Sequence, residues 1–262
     1  MTDGSITTGD GCAIAYRFDG PAEAPVLLLS NSLGTTIDMW APQMAAFTAK
    51  FRVLRYDSRG HGQSGVPAGG YSLDRLGRDV IELLDALQIE QVDFCGLSLG
   101  GMIGQWLGIR EGNRLRRLVL ANTSGLMAPA SAWDARIGLV RESGMAPLAQ
   151  ASVARWFTED FAATAPDAIA SVLAMLRSID PQGYAGCCAA IRDMDMRRTA
   201  SLIGTPTLVI GGAFDPATPP DHSEALVNAI AGARLVMLDA AHLSNVEQPE
   251  AFAREVLTVL SV

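Results

Sequence analysis

A chain of 262 residues is long enough for one large domain carrying an insertion, and 49% hydrophobic against 18% charged residues exclude a disordered or fibrous protein. The formal net charge of −8, with no block of lysine or arginine, argues against nucleic acid or an anionic membrane surface as partner. The polar stretch from Met1 to Gly11 lacks the basic and apolar regions of an export signal, and no later apolar run approaches spanning length, so a cytoplasmic location is expected.

Taken in chain order, short apolar runs bounded by turn residues predict strands over residues 25–30, 51–56, 92–96, 115–121, 206–211 and 234–238. Most are apolar throughout rather than alternating, as strands buried on both faces of a parallel sheet must be. Between the second and third runs, Leu73, Leu76, Val80, Leu83, Leu84 and Leu87 recur at helical spacing behind an N-cap at Ser72. Residues 102–109 give another run read as amphipathic helix. This alternation predicts a mostly parallel, doubly wound α/β sheet with helices on both faces and a ligand crevice beyond the carboxyl ends of its strands.

The alternation lapses after Leu126. Residues 133–143, 148–158, 166–178 and 184–192 read as helices with no strand between them. The chain is therefore expected to divide into a core of residues 1–126 and 198–262 and an inserted helical cap of residues 127–197, placed over the strand ends. Cys12, Cys95, Cys187 and Cys188 have the spacing of neither a metal site nor a disulfide framework, so they read as reduced thiols, Cys95 as core.

Gly96-Leu97-Ser98-Leu99-Gly100 follows one predicted strand and precedes a helical run, the context that gives a G-x-S-x-G pattern its weight. A turn this tight strains the central serine, exposes its hydroxyl, and aims the free N–H groups of the next helix at the point where an oxyanion would form. A serine hydroxyl needs a base within reach, and three histidines are present. His222 falls at the start of a helical pattern and reads as a surface residue, while His61 lies in a loop that could line a pocket. His242 follows the last predicted strand and completes the chain order Ser, Asp, His. The acid that orients it is best placed at Asp215, after another strand. Asp221 reads as a helix N-cap, Asp239 as a strand end, and Asn122 and Thr123 offer no carboxylate.

With Ser98, Asp215 and His242 in place, the chain resembles the α/β-hydrolase superfamily from end to end. It is more closely similar to the 3-oxoadipate enol-lactonases, through Leu29-Ser30-Asn31-Ser32-Leu33-Gly34, the run from Arg55 to Gly62, Gly96 to Trp106, Leu118 to Gly125, and Gly204 to Pro220. Where the wider superfamily usually has His-Gly after its first buried strand, this chain has Asn31-Ser32. The resemblance implies that the N–H groups of Leu33 and Leu99 form an oxyanion hole, that an anionic lactone is the substrate, and that no metal or organic cofactor takes part. The lactone carboxylate calls for a cation inside an acidic protein; Arg136, Arg141, Arg192 and Arg197 of the insertion are available, and Trp133 and Arg136 lie one helical turn apart on a shared face. A carboxylesterase or perhydrolase sharing every catalytic residue, and a receptor keeping the pocket with little turnover, remain open alternatives. A haloalkane dehalogenase would need Asp in place of Ser98.

Overall fold

The computed structural model of the protein describes residues 2–260. An amino-terminal hairpin, β1 (Thr2–Thr7) and β2 (Ala13–Asp19), precedes β3 (Val26–Ser30), a 3-10 segment (Ile37–Gln43), α1 (Met44–Thr48) and β4 (Arg52–Tyr56). Next come α2 (Leu73–Ala86), β5 (Val92–Leu97), α3 (Leu99–Arg110) and β6 (Leu115–Ala121). Five helices then follow one another without a strand: α4 (Ala130–Ser143), α5 (Ala146–Trp156), α6 (Glu159–Thr164), α7 (Pro166–Ser178) and α8 (Pro181–Asp193). The chain returns to the sheet with β7 (Thr207–Gly212), α9 (Pro220–Ala229) and β8 (Arg234–Leu238), and ends with α10 (Ser244–Glu247) and α11 (Pro249–Leu260).

The eight strands form one sheet in the order β1-β2-β4-β3-β5-β6-β7-β8. Strands β3 to β8 are parallel, and β1 and β2 add an antiparallel edge beside β4. The central strands are apolar on both faces because α2, α3 and α9 cover one face while α1 and α11 cover the other. From β3 the chain crosses to β4 on one side and back to β5 on the other, so the loops leaving β3 and β5 diverge and open a crevice between them.

The hairpin was not legible as strand, because β1 (TDGSIT) is polar and lies at the sheet edge with no apolar face to bury. Helix α3 also departs from expectation. Every residue from Leu99 to Gly108 is buried, so the helix is enclosed on all sides between the sheet and α2 instead of presenting a polar face to solvent. Ser72 caps α2 as expected, its hydroxyl accepting the Arg75 N–H at 3.1 Å. Asp221 is not the cap of α9; Pro219 occupies that position and Asp221 lies in the first turn. All four cysteines are buried free thiols, and burial pushes the Cys95 thiol far above its ordinary range.

Candidate active site

Ser98 is the single residue between β5 and α3, and its backbone lies at φ 57° and ψ −113°. A non-glycine residue held there stores about 1–3 kcal/mol of strain, which persists only where the surroundings over-determine it. They do here. A Cβ added to Gly100 would stand 2.0 Å from the Ser30 carbonyl oxygen, and one added to Gly96 would stand 2.2 Å from that of Gly100. Only glycine at both positions lets helix α3 start so close to β3, and this closeness brings the Ser98 hydroxyl to the crevice.

His242 stands in the loop after β8, and its Nε2 lies 2.9 Å from Ser98 Oγ. Its Nδ1 lies 2.8 Å from Asp215 Oδ2, in the loop after β7. Because the carboxylate accepts at Nδ1, the proton sits on that nitrogen and Nε2 is left as the acceptor for the serine hydroxyl. Asp215 is itself closely held: Oδ1 accepts the N–H groups of Ala217 at 2.8 Å and Thr218 at 3.0 Å, and Oδ2 accepts the Thr218 hydroxyl at 2.7 Å. Burial opposes its charge, but attraction to His242 and the hydrogen bonds from His242 and Thr218 outweigh it and hold the pKa at about 2.

The N–H groups of Leu33 and Leu99 donate to no protein acceptor among the described residues. The loop that carries Leu33 is fixed on both flanks. On one, the buried Asn31 side chain donates to the Tyr56 carbonyl at 2.9 Å and accepts the Trp40 indole N–H at 2.9 Å, while the Asn31 carbonyl accepts the Gly100 N–H at 3.0 Å. On the other, Gly34 N–H donates to His61 Nε2 at 3.0 Å. Gly34 has φ +80° and no room for a side chain, since a Cβ there would stand 2.6 Å from Leu176 Cδ1.

A cavity partly open to solvent lies directly over this group. Ser98, His242 and Leu33 form its floor, and Trp133, Arg136, Ser152, Arg155, Trp156 and Tyr184, all from α4, α5 and α8, form its roof and walls.

Residues 25–249 match a family model described as alpha/beta hydrolase fold. The chain belongs to the α/β-hydrolase family. It is 44% identical to 3-oxoadipate enol-lactonase 2 of Acinetobacter baylyi over 97% of this chain and 95% of that one. Among solved structures, the enol-lactonase from Burkholderia xenovorans superposes with a TM-score of 0.97 at 42% identity, covering 99% of this chain and 100% of that one. A hydrolase from Pseudomonas aeruginosa superposes with a TM-score of 0.97 at 49% identity, covering 99% and 98%.

Within this hydrolase, several side chains serve the site that the sequence did not single out. Asn122, where a carboxylate was sought and missing, donates to Asp215 Oδ2 at 3.1 Å and to the Ala241 carbonyl at 3.1 Å, so the amide ties the acid to the histidine loop. Glu247 is buried and accepts the Ala241 N–H at 2.9 Å and the Thr158 N–H at 3.3 Å. Leu243 N–H donates to the Trp156 carbonyl at 3.0 Å, so the segment carrying His242 is bound to the end of α5 at two points. His61 does not line the cavity; it is buried behind the Leu33 loop, and desolvation lowers its pKa from 6.5 to about 4, keeping it neutral and able to accept from Gly34.

Trp133 and Arg136 do share a face of α4, with the guanidinium 5.1 Å from the indole centroid, and both line the cavity. The other arginines weighed from sequence are elsewhere. Arg192 pairs with Asp134 and Asp193, Arg197 pairs with Asp195, and Arg141 is exposed outside the cavity. His222 is half-buried rather than a surface residue, and helps line a separate apolar cavity beside α9.

Proposed function

We propose that the protein hydrolyses 3-oxoadipate enol-lactone to 3-oxoadipate through an acyl-enzyme on Ser98, in the breakdown of protocatechuate and catechol. His242 removes the Ser98 proton as Oγ attacks the lactone carbonyl carbon, and the free N–H groups of Leu33 and Leu99 receive the charge that develops on the carbonyl oxygen. As the tetrahedral intermediate collapses, the ring C–O bond breaks and His242 returns the proton to the enol oxygen. The enol leaving group remains tethered to the acyl chain, since both belonged to one ring. A water molecule deprotonated by His242 then attacks the acyl carbon, Ser98 leaves with the proton, and the freed enol relaxes to the ketone. Asp215 keeps His242 in the tautomer this cycle needs and stabilises its charged form.

Residues 127–197 act as a cap that shields the acyl-enzyme from bulk solvent and carries Trp133 and Arg136 to the substrate. The observation that carries the reading is the continuous hydrogen-bonded chain from Asp215 through His242 to Ser98 on the floor of a cavity. Its support comes also from relatives named as enol-lactonases that match nearly the whole chain. The test is spectrophotometric: purified protein is expected to abolish the enol-lactone absorbance and release 3-oxoadipate, with far higher kcat/KM than on simple aryl esters. A protein that cleaves aryl esters as fast as the lactone is a general carboxylesterase, and the proposal is then wrong.

A further inference from the structure

The cavity is charged in the opposite sense to the molecule. The chain has a formal net charge of −8, yet no aspartate or glutamate lines this cavity, and two arginines do, Arg136 and Arg155. Neither pairs with a carboxylate among the described residues. The contrast with Arg192, paired with Asp134 and Asp193, and Arg197, paired with Asp195, marks the cavity pair as cations held without a carboxylate partner. Arg136 is half-buried, so its charge without a counter-charge costs free energy that an anionic ligand would offset, while Arg155 at the exposed mouth adds attraction for an entering anion.

The two come from different helices and converge. Arg136 on α4 donates from Nη1 to the Tyr184 hydroxyl at 3.2 Å, which fixes the guanidinium and leaves its other donors free. Arg155 on α5 reaches the cavity from its exposed mouth, and the charges of both arginines act on the buried Tyr184 phenol. Ser152 and Trp156 lie three residues before and one after Arg155, so one face of α5 presents all three to the cavity. Ser152 is buried at 6% exposure, and its hydroxyl has no protein partner among the described residues.

We infer that Arg155, Ser152 and Arg136 form an anion subsite that binds a carboxylate on the leaving-group side of the scissile ester, making this a hydrolase selective for carboxylate-bearing lactones and esters. The inference rests on Ser98 being the nucleophile, and it assigns to α5 a share in recognition beyond the Trp133 and Arg136 pair of α4. In the enol lactone the acetate arm hangs from the enol carbon, so its carboxylate stays bound while the ring opens and the acyl chain remains on Ser98. Two guanidiniums and a hydroxyl can take both carboxylate oxygens at once.

The test compares two aryl acetates of similar size, 4-acetoxybenzoate with its carboxylate on the leaving group, and neutral 4-nitrophenyl acetate, together with the enol lactone. Charge-assisted hydrogen bonds contribute about 1.5–3 kcal/mol, so Arg155→Met is expected to lower the ratio of kcat/KM for the anionic over the neutral ester by roughly 10- to 100-fold, mainly through KM. Arg155→Lys should recover part of that ratio, and Ser152→Ala should lower it less. An unchanged ratio in Arg155→Met overturns the subsite, as does an equal loss on both esters, which would mark Arg155 as structural. If wild-type protein prefers the anionic ester yet leaves the enol lactone intact, the subsite stands and the lactonase reading fails.

Discussion

Replacing Glu247 with alanine tests how the histidine loop is held. The carboxylate is 8% exposed and accepts the Ala241 N–H at 2.9 Å and the Thr158 N–H at 3.3 Å, and Ala241 is itself 1% exposed. Truncation leaves the Ala241 N–H buried without a partner, at a cost of about 1–3 kcal/mol. Thr158 is half-buried, so water can reach its N–H and hydroxyl and its share adds less than about 1 kcal/mol. The expected loss is about 2–3 kcal/mol, read as a lower midpoint in urea with an unchanged slope. His242 is the next residue after Ala241, and a displacement near 1 Å at a catalytic group costs about 100-fold, so kcat should fall roughly 10- to 100-fold while KM changes little. Glu247→Gln keeps one acceptor and turns an amine toward the other donor, so it should lie between wild type and alanine. A Glu247→Ala protein within about 0.5 kcal/mol of wild type, the range of ordinary surface changes, with kcat within about twofold, would show that other contacts position the loop.

Other consequences can be checked with the same preparations. Asp215→Asn should keep the far-ultraviolet circular dichroism of the fold while kcat drops about 10,000-fold, because the amide no longer enforces the productive His242 tautomer; a loss of only tenfold contradicts that role. His61 has a folded-state pKa of about 4 against 6.5, so its neutral form contributes stability that is complete above pH 6.5 and is lost as the pH falls toward 4, by about 3 kcal/mol. In His61→Gln, urea midpoints measured from pH 7 to pH 4 should fall less steeply than in wild type, and parallel curves would mean His61 does not resist protonation. Gly100→Ala must push its Cβ away from a carbonyl oxygen 2.0 Å distant, so the protein should lose about 1–3 kcal/mol or more and much of its turnover; wild-type behaviour would refute the close packing at the turn.

What could be read from the sequence was what leaves a one-dimensional signature. Strands rich in apolar residues and bounded by turn residues appear as short runs, so β3 to β8 were legible, whereas β1 carries no such signal because an edge strand buries little. Ser98 was legible because the strand-turn-helix context constrains its flanking glycines, and His242 and Asp215 because each follows a strand at the crevice edge. The supports were not. Asn122, Glu247 and His61 act through hydrogen bonds to residues brought near only by folding, and Glu247 sits 89 positions from Thr158. Arg155 and Ser152 share a short helical spacing, but which face of α5 turns inward is set by its packing against α7 and α4. The enclosure of α3 was hidden because its glycines carry no side chain to mark the close contacts that Gly101 makes with Thr123 and Gly104 with Phe94.

The central claim, that His242 makes Ser98 the nucleophile, is tested most directly by labelling the protein with a fluorophosphonate and mapping the adduct by mass spectrometry. One adduct is expected, on Ser98, formed far more slowly in His242→Ala and absent in Ser98→Ala, which should also lose roughly 10,000-fold or more of its lactone turnover. Labelling at another residue, or a Ser98→Ala protein that opens the lactone at the wild-type rate, would contradict it.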